Sequence, residues 1–470
     1  MPKQPDSERP VVVVSNRGPL KFRYESDGTL LTEKAAGGLV SSLLPAVRGT
    51  NTIWMSAAPT SSDLGGTAVA SDAADGFRLE TVPIDADQYR LYYEVIANGT
   101  LWFLHHNLFD LARFPRIDSQ WWEAWHAYCD VNRRFAEAIA DSAPDNAIVL
   151  VHDYHLTLIG NQLRRRRPDL RTVHFHHTPF TGRNTIHVLP TAVARTLLGG
   201  LAGHHACGFH SQRWADSFKL SCNDVLGHAP KTFVSAAAPD IDDIRKVASS
   251  PQCRAETTDI EKLKGDRKLV VRVDRIELSK NLLRGFQAFD DLLERYPRWR
   301  ERVIFAAFTY PSREAMPEYA AYRDEVIDLV HRINQRWAKA GWQPIELRMR
   351  DDFTRSVAAY LEYDVLLVNP IRDGLNLVAK EGAILNERNG AILLSREAGS
   401  WTELGDGAIG INPYDISGTA DALLHALEMS DAERTSRAAI LREAALRRTP
   451  NDWLADQVRA ALPDETSASD

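Results

Sequence analysis

Two runs of the chain set cations, carboxylates and a glycine where strands give way to helices. The first is VRVDRIELSKN (Val271 to Asn281). An apolar strand ends near Val273, Arg275 and Lys280 follow, and a long helix begins about Ser279. A helix N-terminus presents unpaired N–H groups and a partial positive charge, so it attracts phosphate. Two cations beside it would neutralise a departing diphosphate, whose charge builds in the transition state. A solvated loop with two surface cations is the plainer alternative. The second run is VLLVNPIRDGLNLVAKE (Val365 to Glu381). A buried strand ends at Asn369 and Pro370, Gly374 permits a close backbone approach, and helix character starts near Asn376. The amides of Leu375, Asn376 and Leu377 could cap phosphate oxygens. Asp373 and Glu381 are its carboxylates, and Glu381 lies far enough into the helix to reach the two hydroxyls of a ribose. A capping Asp and a surface Glu would look alike in isolation. Here strand, glycine turn, helix start and placed carboxylates coincide.

The first half of the chain carries its own strand-end residues. VVVVSNRGP puts Arg17 just after an apolar strand, and Gly37 and Gly38 open a helix that could admit a diphosphate. No GxGxxG follows the first strand, which weakens a dinucleotide reading. Asp153 ends LVHDYHL and His177 follows HFH in HFHHTPF. His174 and His176 alternate along a strand and share a face, while His177 points to the other. No cysteine or carboxylate spacing completes a metal set around them, so no bound metal is expected. The run Arg164–Arg167 precedes Pro168 and suits a solvated helix C-terminus, where cations complement the dipole.

These residues need strands to present them. Candidate buried strands are Val11–Ser15, Ile53–Ala57, Ile148–His152, Thr172–His176, Lys268–Val273, Val303–Phe308, Val365–Asn369 and Ala391–Ser395. Near-continuous Val/Ile/Leu runs suit parallel strands covered on both faces. Amphipathic stretches lie between them; in the clearest, Leu282, Leu283, Phe286, Phe289, Leu292, Leu293 and Tyr296 share one face and Pro297 follows. Strand–helix alternation predicts an α/β class with doubly wound sheets. The pattern weakens between about Val234 and Gly265. The expected division is therefore 1–240, 241–450, a last helix over 451–462 carrying Trp453, and a disordered tail over 463–470. Ligands in such sheets bind at the carboxyl ends of strands, where the residues above lie.

With 470 residues the chain is long enough for two or three domains. Its net charge is −7 with both signs interspersed, which argues for no nucleic acid and no anionic membrane as the main partner. No apolar stretch suits a signal or a membrane span. Cys129, Cys207, Cys222 and Cys253 form no framework and read as free thiols, pointing to a cytoplasmic setting. A homo-oligomer is compatible with all of this.

Taken together, SNRGP, AAGGL, YYEVIANGTLW, VHDYHL, HFHHTPF, RVDRIELSK, YPSRE and RDGLNLVAKE occur in an order that resembles the trehalose-6-phosphate synthases. These are retaining glycosyltransferases of the GT-B architecture, in which two Rossmann-like domains face a central cleft. The likeness runs from about Val11 to Trp453. It implies a nucleotide-diphosphate glucose donor, UDP-glucose or GDP-glucose, and glucose 6-phosphate as acceptor, with no cofactor and no metal. By the same resemblance Arg275 and Lys280 clamp the donor diphosphate with help from Gly38, and Glu381 holds the ribose. Asp373 and the amides after Gly374 contact the donor sugar and phosphates. His177 lies beneath the reacting carbon and Asp153 holds sugar hydroxyls. Arg17, Tyr93, Trp102 and Arg313 form the acceptor-phosphate pocket. The resemblance also implies a front-face reaction in which the leaving diphosphate accepts the acceptor proton, the protein supplying positioning and electrostatics.

Three departures stand out. The family's SKG is SKN here, with Asn281, and Asp240 replaces a glycine before the second domain. Near Phe353, Val357 and Ala358 suggest a smaller base pocket, one that could take guanine. The same fold and phosphates would suit a validoxylamine-phosphate-synthase-like pseudo-glycosyltransferase joining a GDP-cyclitol to an aminocyclitol phosphate. Glucosylglycerol-phosphate synthesis and a non-catalytic sugar-phosphate sensor are the further alternatives.

Overall fold

The computed structural model describes residues 9–35, 37–70 and 76–463. The tail expected to be disordered lies, beyond Pro463, outside the described residues. The chain divides into two units, Met1–Ala237 with Pro450–Asp470, and Ala238–Thr449. The expected division at 240 differs from this by a few residues only.

In the first unit seven strands form one sheet. Their order in space is Arg78–Pro83, Ile53–Ala58, Val11–Val14, Ile148–His152, Arg171–His176, Ala206–Phe209 and Thr232–Val234. Each neighbouring pair is parallel. The order reverses beside Val11–Val14, which pairs with Ile53–Ala58 on one side and Ile148–His152 on the other. Loops leaving those two central strands diverge, and they carry Arg17 and Asp153. A separate hairpin, Leu20–Tyr24 with Leu30–Lys34, follows the first strand. The helix Pro450–Ala461 returns to this unit. Its Val458 and Ala461 join a core with Ile148, Leu150 and Val173.

The second unit has six parallel strands, in the order Ile345–Met349, Val303–Pro311, Lys268–Ile276, Val365–Val368, Ala391–Ser395 and Ile409–Ile411. By sequence that is 3-2-1-4-5-6, the doubly wound order. The strand alternation explains why its runs are apolar throughout. Leu269, Val271 and Val273 pack into the core on one face, and Val270 into the core on the other. The reversal lies between Lys268–Ile276 and Val365–Val368, so both chemistry-bearing runs of this unit leave from its switch point.

All eight expected strands are present, shifted at some ends by one to three residues. The hairpin, the four shorter or edge strands Arg78–Pro83, Ala206–Phe209, Thr232–Val234 and Ile345–Met349, and Ile409–Ile411 were not expected. Most mix small, polar or charged residues into the run, which blurs the apolar signal. A π-helix over Leu91–Trp102 was not legible either, because its side chains repeat at neither strand nor α-helix spacing.

Among the described residues no helix is long and apolar enough to cross a membrane. The four cysteines are free, as expected.

Candidate active site

In the second unit the strand carrying Arg275 runs on to Ile276, so Arg275 sits on the strand and not in the loop after it. The following helix begins at Leu282 rather than near Ser279. A single 3₁₀ turn, Leu278–Lys280, and Asn281 stand between. Asn281 causes the delay. It adopts the left-handed conformation, φ 61°, which asparagine tolerates better than most residues. Its amide then donates to the carbonyls of Asn369 at 3.0 Å and Pro413 at 2.7 Å. Asn369 donates back to the Asn281 carbonyl at 3.3 Å. Asparagine thus makes the turn expected of glycine and ties the two runs together. Ile371 N–H to the Ser279 carbonyl, 2.8 Å, is a second tie.

Within this frame Lys280 Nζ lies 2.6 Å from Asp373 Oδ2. Burial works against the Lys280 charge, but Asp373 and Asp274 hold the ammonium above its ordinary range. Arg272, fully buried, donates through Nε to Asp274 at 3.0 Å and through Nη2 to the Lys280 carbonyl. The Asp373 carboxylate also accepts from the Leu375 amide at 3.3 Å and the Asn376 side chain at 3.2 Å. The Leu375 amide, expected to be open for a phosphate, is therefore engaged by Asp373 here. Asn376, φ 81°, caps the helix Leu377–Leu385 by accepting from the Ala379 amide at 3.1 Å. A side chain at Gly399 would lie 1.9 Å from the Gly374 carbonyl, so this turn needs glycine where the two segments meet.

Glu381 is half-buried one turn into that helix. Burial pushes its carboxyl up to about 7, against a hydrogen bond from Tyr360 that pulls it down. Glu277 has the opposite fate. Burial would raise it, but Arg275, Arg313 and Lys280 bring it down to about 2. Arg313, from the YPSRE motif, lies in this same unit, 3.0 Å from Glu277 Oε1 and 2.8 Å from the Tyr319 hydroxyl.

Phe353 is exposed at the start of the helix Phe353–Glu362. Val357 and Ala358, expected to line a small base pocket, are fully buried in the hydrophobic core. They face the sheet and give no handle on the base. Asp240, the other departure, caps the helix Ile241–Ala248 by accepting from the Asp243 amide at 3.1 Å.

In the first unit Arg17 is exposed and donates to the Tyr93 hydroxyl at 2.7 Å. Tyr93 projects from the π-helix and stacks on Tyr89, ring centres 5.2 Å apart, and on His155 at 5.6 Å. Asn16 and Asn98 pin the surrounding tyrosines. Asn16 donates to Tyr89 and accepts from Tyr92, and Asn98 donates to the Tyr93 carbonyl and accepts from Tyr154. Trp102 ends the π-helix but is buried, with His106 at 4.3 Å and Phe103 at 5.5 Å between ring centres. Gly38 is the first residue of the helix Gly38–Val47, with Gly37 at φ 131° before it.

Asp153 has φ 72° and ψ 168°, a region that costs a non-glycine residue about 1–3 kcal/mol and that clusters at functional sites. Its carboxylate accepts from the His177 amide at 3.3 Å. The His177 ring sits between two others. Its Nε2 is 3.0 Å from His152 Nδ1, and its Nδ1 is 3.2 Å from His210 Nε2. The Ala237 amide donates to His210 Nδ1 at 3.3 Å, which settles every proton in the row. His210 must donate through Nε2, His177 accepts at Nδ1 and donates through Nε2, and His152 accepts at Nδ1. Burial lowers the His177 pKa to about 3, so the ring is neutral. Neither nitrogen is left for acid–base work. Trp453 from the returning helix walls the row, its ring centre 5.6 Å from His177 and 6.3 Å from His210.

The arginine run ends the helix Ile159–Arg166, as its position suggested. Arg166 pairs with Glu137, and Arg167 with Asp145 and Asp169. Among the described residues no group of three His, Cys, Asp or Glu side chains has the geometry to hold a metal.

The structure therefore assembles Arg275, Lys280, Asp373, Gly374–Leu377 and Glu381 in the second unit, and Arg17, Tyr93, Asp153 and His177 in the first. Sequence reasoning missed Glu277, Tyr360, His152 and His210. Glu277 stands inside a motif already singled out, and its spacing of two from Arg275 in the extended run that continues the strand was the available signal.

Three comparisons bear on this geometry. The profile of glycosyltransferase family 20 matches residues 9–462. The chain is 31% identical over 469 residues to a trehalose-6-phosphate synthase of Mycolicibacterium vanbaalenii, covering 94% of each. It is 30% identical to a bifunctional trehalose-6-phosphate synthase/phosphatase of Thermoproteus tenax, of which it spans 63%. Among solved structures it resembles an α,α-trehalose-phosphate synthase (UDP-forming) from Burkholderia xenovorans in complex with glucose 6-phosphate. The TM-score is 0.82 at 25% identity, covering 96% of this chain and 99% of that one.

Proposed function

The chain belongs to glycosyltransferase family 20, and from that premise we propose that it transfers glucose from UDP-glucose to glucose 6-phosphate, with retention, yielding α,α-trehalose 6-phosphate and UDP. The observation that carries the donor half is the cluster at the switch point of the second sheet: Arg275 at a strand end, Lys280 and Asp373 in the turns that follow the two strands, and Glu381 one turn into the next helix. The UDP-forming relative and its glucose 6-phosphate complex favour this acceptor and uridine over guanine.

Arg275 and Lys280 bind the diphosphate, and Glu381 takes the ribose hydroxyls. Asp373 exchanges Lys280 for a donor-sugar hydroxyl, which frees the Leu375 amide to join those of Asn376 and Leu377 on phosphate. Arg17, Tyr93 and Arg313 bind the acceptor phosphate; a guanidinium fork and a phenol suit its oxygens. Trp102, buried at the end of the π-helix that carries Tyr93, belongs to the same acceptor group in this reading. Asp153 orients sugar hydroxyls.

In the reaction the acceptor oxygen forms a bond to the anomeric carbon as the bond from that carbon to the diphosphate breaks. The acceptor proton passes to the leaving phosphate oxygen on the same face. Charge grows on the diphosphate, and Arg275 and Lys280 stabilise it there without reorganising. His177, neutral and bonded through both nitrogens, contributes a fixed dipole and shape rather than a proton. No step requires a metal ion.

One panel tests the reading. UDP-, GDP- and ADP-glucose are each incubated with glucose 6-phosphate, validamine 7-phosphate or glycerol 3-phosphate, and products are identified by mass. UDP-glucose with glucose 6-phosphate should give trehalose 6-phosphate. Product only from an aminocyclitol phosphate or glycerol phosphate would transfer the assignment to those alternatives. Binding without turnover would make the chain a sensor.

A further inference from the structure

We propose that Glu277 is a positioning residue that couples the two substrate sites, one buried carboxylate orienting both Arg275 and Arg313. The inference rests on the roles just proposed for those two arginines.

Arg275 Nη1 lies 2.8 Å from Glu277 Oε1, and Arg313 Nη1 lies 3.0 Å from that same oxygen. Ser312 Oγ donates to it as well, at 3.0 Å. Side-chain exposure falls from 43% at Arg275 to 12% at Arg313 and 1% at Glu277. Water therefore cannot replace the carboxylate, while the Arg275 guanidinium keeps an exposed face. The Glu277 backbone is fixed too: its N–H donates to the Arg275 carbonyl at 2.9 Å, and its carbonyl accepts from the Lys280 N–H at 3.0 Å.

The arginines repel one another, and the anion between them offsets that repulsion. Each guanidinium presents five donors in a rigid fork, so anchoring one N–H to Glu277 sets the direction of the rest. The consequence is shared use of one charge. A phosphate drawn to Arg275 weakens that arm's hold on Glu277, which then holds Arg313 more tightly, and the reverse. Donor and acceptor affinities must depend on each other through this oxygen.

The test is steady-state kinetics of E277Q, which keeps the shape and one acceptor oxygen but loses the charge. Donor KM and glucose 6-phosphate KM should each rise about tenfold, as expected for losing charge-assisted contacts. E277D restores the charge and should recover part of both losses. With an active wild type, a folded E277Q that changes only one KM, or neither, overturns the coupling. If E277Q does not fold, R275A serves instead. Its affinity for glucose 6-phosphate without donor, by calorimetry, should rise severalfold, because Glu277 then holds and orients Arg313 alone; unchanged or lower affinity overturns the proposal. If the wild type turns over none of the donor–acceptor pairs, the functional reading fails separately. Calorimetry with UDP and glucose 6-phosphate then decides the coupling, and wild-type affinities in E277Q refute it.

Discussion

Glu381 should make donor binding depend on pH near neutrality. Its carboxyl is pushed up to about 7 by burial, even with the Tyr360 hydroxyl helping the charged form. Ribose hydroxyls bind a carboxylate better than a neutral acid, because charge-assisted hydrogen bonds are the stronger ones. With a midpoint of about 7, the ionised fraction is roughly 9% at pH 6 and roughly 91% at pH 8. Donor KM at saturating acceptor should therefore be about tenfold higher at pH 6 than at pH 8. The donor diphosphate is a diester and does not titrate in that window. E381Q should remove the dependence and hold KM at its high value. Y360F removes a bond that lowers the pKa, so it should move the inflection to higher pH. The same burial has a stability consequence of opposite use. A raised folded pKa gives stability that is complete below the ordinary glutamate value and is lost as pH rises through about 7. The cost above that point is roughly 3 kcal/mol, so E381Q should raise the thermal midpoint of the ligand-free protein at pH 8. A wild-type donor KM that is flat from pH 6 to pH 8, or a pH dependence that survives in E381Q, would refute the reasoning.

R275A should lose on the order of 10²-fold or more in kcat/KM by removing a contact to the developing diphosphate charge; wild-type activity would count against the clamp. N281A should destabilise by about 3–5 kcal/mol in urea unfolding, from left-handed strain and three lost side-chain bonds, to Asn369, Pro413 and Arg284, whereas N281G keeps the turn and should lose only the bonds. Buried neutral His152, His174, His176, His177 and His204 have pKa values lowered by burial. Their contribution is intact above the ordinary histidine value and is lost as pH falls, at about 1.4 kcal/mol each by pH 5.5. The urea midpoint should drop sharply between pH 7 and pH 5.5, and an unchanged midpoint would mean the rings are not held neutral.

What the sequence by itself determined was local. Continuous apolar runs are a property of neighbouring residues, so the central strands, and with them the α/β class, were legible at once. So were the helix starts at Gly38 and Leu377 and the returning helix around Trp453. The motifs in order identified the family, and they named the cations and carboxylates that the strand ends present. What only tertiary structure decided depended on partners far along the chain. Asn281 sets the helix start by bonding Asn369 and Pro413, neither of which its neighbours reveal. Val357 and Ala358 look like pocket lining until the sheet covers them. His177 is one strand-end histidine among several until His152 and His210 occupy both its nitrogens. Glu277 is one more carboxylate in a charged motif until Arg313 arrives on the adjacent strand's loop and shares its oxygen with Arg275. Residue type and spacing say which groups stand at a strand end. The fold says which of them are desolvated together, and that sets their charge, direction and use.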